Sequence, residues 1–369
     1  MSARQALPRR VLMTADAVGG VWHYALDLAR GLTASDVEVM LAVLGPPPAP
    51  EQRLAAASID CLTLVHQGYA LEWMPGAERD LNTAGSWLLE LEEAFAPDLV
   101  HLNGFAHAAL PWRVPTLLVA HSCVLSWWRA VHGGDAPAEW AAYRRRTRAG
   151  LQAADLVVAP TRAFLEQVQT LYGPLGRTLW IWNGCAPAEP TQTGKEPLIF
   201  AAGRIWDEGK NLQALAAISH RLAWPLAVAG AGAPQYDDSA IAPWLGTLSS
   251  DAMRCWYTRA AVFVLPARYE PFGLAALEAA MAGCAVVLGD IPTLRELWDG
   301  AALFVPPDDR EALVSALNAL AEDPELLSLL GGMARSRAAR YSAERMTARY
   351  LGAYGGLLAA PSRPAALPV

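Results

Sequence analysis

Strand-length apolar runs alternate with helical spacing along almost the whole chain, and the alternation breaks once, at 183–197, before it starts again. Ahead of the break, "RVLMTADA" reads as a first strand, and "VWHYALDLARGL" sets Trp22, Leu26, Ala29 and Leu32 on one helical face. "VEVMLAVL", "DLVHLNG", "PTLLVAHS" and "ADLVVAPT" read as further strands. After the break come "LIFAAGR", a helix from about 209, "PLAVAGAG", a short strand near 241, "AAVFVLPA", a helix from 271, "CAVVLGD", "AALFVPP" and a helix from 309. Strands that are apolar throughout are buried on both faces, as in parallel sheets covered by helices. The break itself, "NGCAPAEPTQTGKEP", is rich in Pro, Gly and Thr and reads as a linker. The expected fold is therefore α/β, with two Rossmann-like domains facing each other across a cleft. Their expected bounds are 1–186 and 197–342, with a last helix over 343–360 packing back on the first domain. A chain of 369 residues suits two such domains.

A net charge of −7 argues against general nucleic-acid binding, which normally shows as a basic balance. No apolar run has the length of a membrane span, and "MSARQALPRRVLM" lacks the apolar core of a signal peptide, so a cytoplasmic location is expected. Cysteines 61, 123, 185, 255 and 284 are scattered, with no C-x-x-C pair. They suggest a reducing compartment and neither a zinc site nor a disulfide framework.

Ligands of open α/β sheets sit at the carboxyl ends of the strands, so the residues that follow strands are the candidates. "RYEPFGLAALEAAMAG" (268–283) follows the strand "AAVFVLPAR". It carries Glu270 and Glu278, a proline suited to the first helical position at 271, and a Gly273 that leaves the first-turn amides of Gly273 and Leu274 open to an anion. A helix running on from Glu270 would place Glu278 about 10 Å along the axis. One end of a nucleotide sugar would then meet Glu270 through its sugar, and the other would meet Glu278 through its ribose. The bland reading of the pair is one capping and one exposed acid. "AAGRIWDEGKNLQAL" (201–215) ends a strand at Gly203, delivers Arg204, and opens a helix with Lys210. Arg as a fork and Lys as a point charge can flank a diphosphate and neutralise it without a metal. The bland reading is two surface cations beside Asp207 and Glu208. Only Lys195 and Lys210 are lysines in this chain. In "ADAVGGVWHYALDLARGL" (15–32), Gly19 and Gly20 lie in a strand-to-helix turn that lacks G-x-G-x-x-G, so a dinucleotide site is not indicated.

Taken together these stretches resemble the family 4 retaining glycosyltransferases of GT-B architecture, most strongly from 201 to 305. The resemblance implies that the glutamate pair with seven residues between is Glu270 and Glu278. It implies that the cation pair for the donor diphosphate is Arg204 and Lys210, and that the Gly-Gly loop is Gly19 and Gly20. It also implies an active-site histidine at His121 in "LLVAHSC", hydrogen bonding near the donor sugar, and an asparagine-glycine step at the hinge at Asn183. Ser122 replaces the acid usual after that histidine. His121, Glu270, Arg204 and Lys210 are the candidate catalytic residues. Gly20, Gly203, Gly273, Leu274 and Glu278 are candidates for the donor, and Gly19 with Trp127 and Trp128 of "LSWWRAVHG" for the acceptor. His23, His101 and His107 read as structural.

The function implied is metal-independent, retaining transfer from a nucleotide sugar, UDP preferred, with no cofactor. The donor would bind the second domain and the acceptor the first. The acceptor would be a saccharide, a lipid-linked glycan or a small molecule. No transmembrane segment is expected, though "YRRRTR" (143–148), mainly a solvated helix face, offers peripheral contact with anionic lipid. The rivals are a GT-B sugar-nucleotide epimerase, for which Asp16 would be the extra acid, and a non-catalytic nucleotide-sugar sensor.

Overall fold

The computed structural model describes residues 7–186, 194–232 and 244–360. The chain divides into two compact units: Met1–Ser126, Asp135–Gly184 and Ala343–Val369 form the first, Trp127–Gly134 and Cys185–Ser342 the second. Against the expected first domain over 1–186, the segment Trp127–Gly134 falls in the second unit, and the first stretch ends at Gly184.

The first unit holds β1 (Arg10–Asp16), β2 (Glu38–Leu44), β3 (Leu62–Gln67), β4 (Leu99–Leu102), β5 (Thr116–Val119), β6 (Leu156–Ala159) and β7 (Thr178–Trp180). All pair in parallel, in the order β3-β2-β1-β4-β5-β6-β7. Its helices are α1 (Gly20–Thr33), α2 (Pro50–Ala57), α3 (Glu78–Phe95), the start of α4 (Val124–His132), α5 (Ala141–Ala153) and α6 (Arg162–Tyr172). Every residue of β4, β5 and β6 is buried, which is why these strands read as short unbroken apolar runs. The order reverses between β1 and β4, so the loops after those strands flank the crevice at which such sheets bind ligands.

The second unit contains β8 (Glu196–Ala202), β9 (Leu226–Ala229), β10 (Ala260–Leu265), β11 (Ala285–Gly289) and β12 (Leu303–Val305). These too are parallel, in the order β12-β11-β10-β8-β9, with the reversal between β8 and β10. Its helices are α7 (Leu212–Ile218), α8 (Ser250–Arg259), α9 (Leu274–Met281), α10 (Pro292–Trp298), α11 (Arg310–Glu322) and α12 (Pro324–Ala338). The last helix, α13 (Ala343–Leu358), belongs to the first unit and packs on α1. The strand expected near 241 and the middle of the linker lie outside the described residues.

At the end of β9, Gly230 passes so close to β8 that a Cβ there would lie 1.7 Å from the carbonyl oxygen of Gly203. The same turn is tied down by Gly203 N–H donating to Ala229 O at 3.0 Å and Gly230 N–H to Gly246 O at 2.8 Å. A side chain at 230 would push away the residue that launches Arg204. Gly230→Ala should lower stability by about 2 kcal/mol through overpacking, read as a fall in the urea midpoint. Gly332→Ala, where an added Cβ meets nothing within 4 Å, is the control and should cost nothing. Equal midpoints for the two variants would contradict the close approach.

Candidate functional site

In the second unit the loop after β8 and the loop after β10 bring Arg204, Asp207, Lys210 and Glu270 together at the point where strand order reverses. Lys210 Nζ donates to Glu270 Oε2 at 2.5 Å, and the two side chains are 15% and 13% exposed. Arg204 donates to Asp207 Oδ2 at 2.6 Å and lies 5.2 Å from the Trp206 ring. Asp207 is buried and accepts from three donors: besides Arg204, its Oδ1 accepts from Gly209 N–H at 3.0 Å and from the Trp127 indole N–H at 2.8 Å. Burial works to raise the Asp207 pKa, but the charges of Lys210 and Arg204 and the bonds from Trp127 and Arg204 hold it below the usual carboxylate range. Arg204 Nε is enclosed with no hydrogen-bond partner among the described residues. A buried donor left in this way favours any anion that reaches it.

The local backbone explains this convergence. Asn211 adopts a left-handed conformation at φ 55. Its amide donates to Pro266 O at 3.0 Å and Pro307 O at 2.6 Å, which clamps the β8 loop to the ends of β10 and β12. Gly209 O accepts from the N–H groups of Arg268 and Tyr269 at 2.9 and 3.1 Å. Consequently α7 begins at Leu212, and Lys210 stands in the loop before it rather than opening the helix.

The expected helix from 271 also starts later. Gly273 is left-handed at φ +90 and caps α9, whose first residue is Leu274. Pro271 therefore does not occupy the first helical position, and the eight-residue separation of Glu270 and Glu278 is not a helical rise. Glu270 belongs to the loop, where its carbonyl accepts from Thr293 Oγ1 at 2.6 Å. A Cβ on Gly273 would sit 3.3 Å from Glu270 Cγ, so this glycine sets the glutamate's position as well as opening the helix start. Glu278 lies on α9, about 6 Å beyond Leu274 at 1.5 Å per residue. It neighbours Tyr257, whose hydroxyl pKa is raised by burial first and the Glu278 charge second. Gly203 packs its Cα side against Lys210 and Leu212.

In the first unit, Gly19 is extended and Gly20 begins α1, in the loop after β1. His121 follows β5 and is half-buried. Its Nε2 lies 2.7 Å from Asn103 Oδ1, and its ring meets Tyr24 edge-on at 4.4 Å. Burial, then the neighbouring His101, pushes its pKa down to about 3, so the ring is neutral at pH 7. His101 and His107 are buried and hydrogen bonded, in keeping with structural roles. The Asp16 carboxylate accepts from Val18 N–H at 2.9 Å.

The tryptophans fall in a different unit from Gly19, the third acceptor candidate. Trp127 falls in the second unit with Asp207, and its ring lies 6.1 Å from that of Trp128. Asp207 is the residue that sequence reasoning passed over. Its acid-x-x-cation spacing to Lys210 was visible, but its burial was not. Glu72 was also missed: it accepts from Phe105 N–H at 3.2 Å and Ala106 N–H at 2.7 Å, and its pKa is raised to about 7, chiefly by burial.

Two family models match the chain, Glycosyltransferase Family 4 over residues 18–189 and Glycosyl transferases group 1 over residues 196–323. Among curated relatives, the alpha-maltose-1-phosphate synthase of Mycolicibacterium smegmatis is 29% identical over 71% of this chain and 79% of its own length. Among solved structures, sucrose-phosphate synthase from Thermosynechococcus elongatus superposes with a TM-score of 0.77 at 20% identity, over 95% of this chain and 99% of its own. The Anabaena HepE protein, solved with UDP and glucose, gives a TM-score of 0.74 at 12% identity, over 95% and 100%.

Proposed function

This chain belongs to glycosyltransferase family 4 and has the GT-B fold, and we propose that it moves a sugar from a nucleotide-sugar donor to an acceptor hydroxyl with retention of anomeric configuration. The observation that carries the reading is the meeting of Arg204, Lys210 and Glu270 at the strand-order reversal of the second sheet. Two cations, with a guanidinium N–H that has no partner among the described residues, suit a diphosphate, and the start of α9 adds main-chain N–H groups. UDP is the preferred nucleotide, supported by the UDP bound in the HepE relative of like fold. The donor is assigned to the second unit. The acceptor, a saccharide, lipid-linked glycan or small molecule, is assigned to the first, at the loops after β1 and β4.

In the reaction, the bond from the anomeric carbon to the diphosphate oxygen lengthens toward an oxocarbenium-like state. Lys210 and Arg204 offset the charge that builds on the departing diphosphate. That diphosphate takes the proton of the acceptor hydroxyl as the new bond forms on the same face, which retains configuration. Glu270 accepts hydrogen bonds from the sugar in the second unit, and in the first unit the neutral His121 ring offers an acceptor to a substrate hydroxyl.

Because the two cations carry the diphosphate charge, no divalent metal is required. A thermal-shift panel of UDP-, GDP- and ADP-sugars should single out one nucleotide, since ligand at about 100 times its Kd adds ~2.7 kcal/mol. Turnover with that donor should persist in EDTA. No shift with any nucleotide sugar would contradict the donor class, and loss of turnover in EDTA with rescue by Mg²⁺ or Mn²⁺ would contradict the role of the cations.

No described helix is long and apolar enough to cross a membrane.

A further inference from the structure

The hydrogen bonds beneath His121 have one self-consistent assignment, which converges on Asn103 from the last helix of the chain on one side and from the His121 ring on the other. Asn103 follows β4, and its Nδ2 donates to Thr14 O at 2.7 Å while its own N–H donates to Thr14 Oγ1 at 3.0 Å. The first of these bonds settles which end of the amide is nitrogen, so Oδ1 is the end that faces the histidines. An amide oxygen can only accept. His121 Nε2 at 2.7 Å and His101 Nε2 at 3.1 Å from that oxygen must therefore both carry hydrogen. With Nε2 protonated and the ring neutral, His101 Nδ1 is a lone pair, and it accepts from the Tyr354 hydroxyl of α13 at 2.7 Å. The Tyr24 hydroxyl stands 3.3 Å from His101 Nε2, and the Tyr24 ring closes on His121 from the side.

We infer that Asn103 is a positioning residue which holds His121 in the Nε2–H tautomer and thereby presents Nδ1 as an acceptor to an alcohol hydroxyl of the substrate. Two imidazole hydrogens converge on the one oxygen of the Asn103 amide, which uses both lone pairs and leaves no room for the alternative tautomer of His121. The opposite tautomer would turn a lone pair toward Oδ1, an unfavourable contact, and would offer the substrate a donor in place of an acceptor. The Tyr354 hydroxyl fixes His101 from its far side, so α13 contributes to the orientation. The identity of the hydroxyl rests on the glycosyl-transfer reading; the tautomer does not.

The tautomer is read on the ligand-free full chain by long-range ¹H–¹⁵N correlation of ¹⁵N-histidine-labelled protein. His121→Gln identifies the His121 signals by their loss among the seven histidines. The wild type should show His121 as a single neutral Nε2–H species. Asn103→Leu should show mixed tautomers and lose roughly tenfold to a hundredfold in kcat/KM, because the acceptor lone pair is no longer held in place. Asn103→Asp, measured at pH 8, keeps an acceptor oxygen and should retain the Nε2–H species and recover part of the activity. A wild-type His121 protonated on Nδ1 would overturn the inference whatever the variants do. So would an Asn103→Leu protein that keeps the pure Nε2–H species at wild-type kcat/KM. Since the first readout needs no donor, its failure is distinguishable from failure of the glycosyltransferase reading.

Discussion

Lys210→Ala should lower stability by about 2–3 kcal/mol and reduce kcat/KM at least tenfold, a loss equivalent to one charged hydrogen bond. The stability loss follows from the partner left behind. Glu270 is 13% exposed, and its carboxylate loses the ammonium 2.5 Å away. A fully buried pair broken in this way costs about 3–5 kcal/mol, and the residual solvent access lowers that figure. The catalytic loss has a different origin, the missing positive charge at the departing diphosphate. The double variant Lys210→Ala with Glu270→Gln separates the two. Neutralising the orphaned carboxylate should restore most of the urea midpoint and none of the turnover. Unchanged kinetics in Lys210→Ala alongside a lowered midpoint would make the pair purely structural, and a midpoint that stays low in the double variant would remove the orphaned charge as the cause.

Lys210 also marks the limit of what could be read ahead of the structure. As one of two lysines it stood out, and its place after a buried strand pointed to a ligand. That it is paired with an acid 60 residues away could not be seen, because the contact is made by two loops that only the order of β8 and β10 brings together. The central strands were legible because burial on both faces leaves continuous apolar runs, as in "AAVFVL" of β10. The edge strand β3 was not, since its half-exposed pattern admits Thr63 and His66 and blurs the signal. Asp207 resembled a solvated acid because nothing local shows that Trp127, 80 residues earlier, donates to it. The start of α9 was misjudged for a local reason. Proline at 271 favours a helix start, but Gly273 at φ +90 cannot be part of that helix and moves the start to Leu274.

That shift sharpens the proposed division of labour between the two glutamates. Glu270, in the loop, is bound to Lys210, whereas Glu278 stands on the helix near Tyr257. With the nucleotide lying along α9, Glu278 would receive the ribose hydroxyls and Glu270 would meet only the sugar and the cation. Glu278→Ala should then weaken binding of free UDP by roughly tenfold or more, from loss of hydrogen bonds to a charged group. Glu270→Ala should bind free UDP at least as well as wild type, since it releases Lys210 to the diphosphate, yet should lose turnover by about a hundredfold. Calorimetric titration of free UDP into wild type, Glu270→Ala and Glu278→Ala, alongside initial rates, tests whether this strand-order reversal is a nucleotide-sugar site. The account predicts loss of UDP affinity in the Glu278 variant alone. Equal losses in both variants, or undiminished affinity in both, would contradict it.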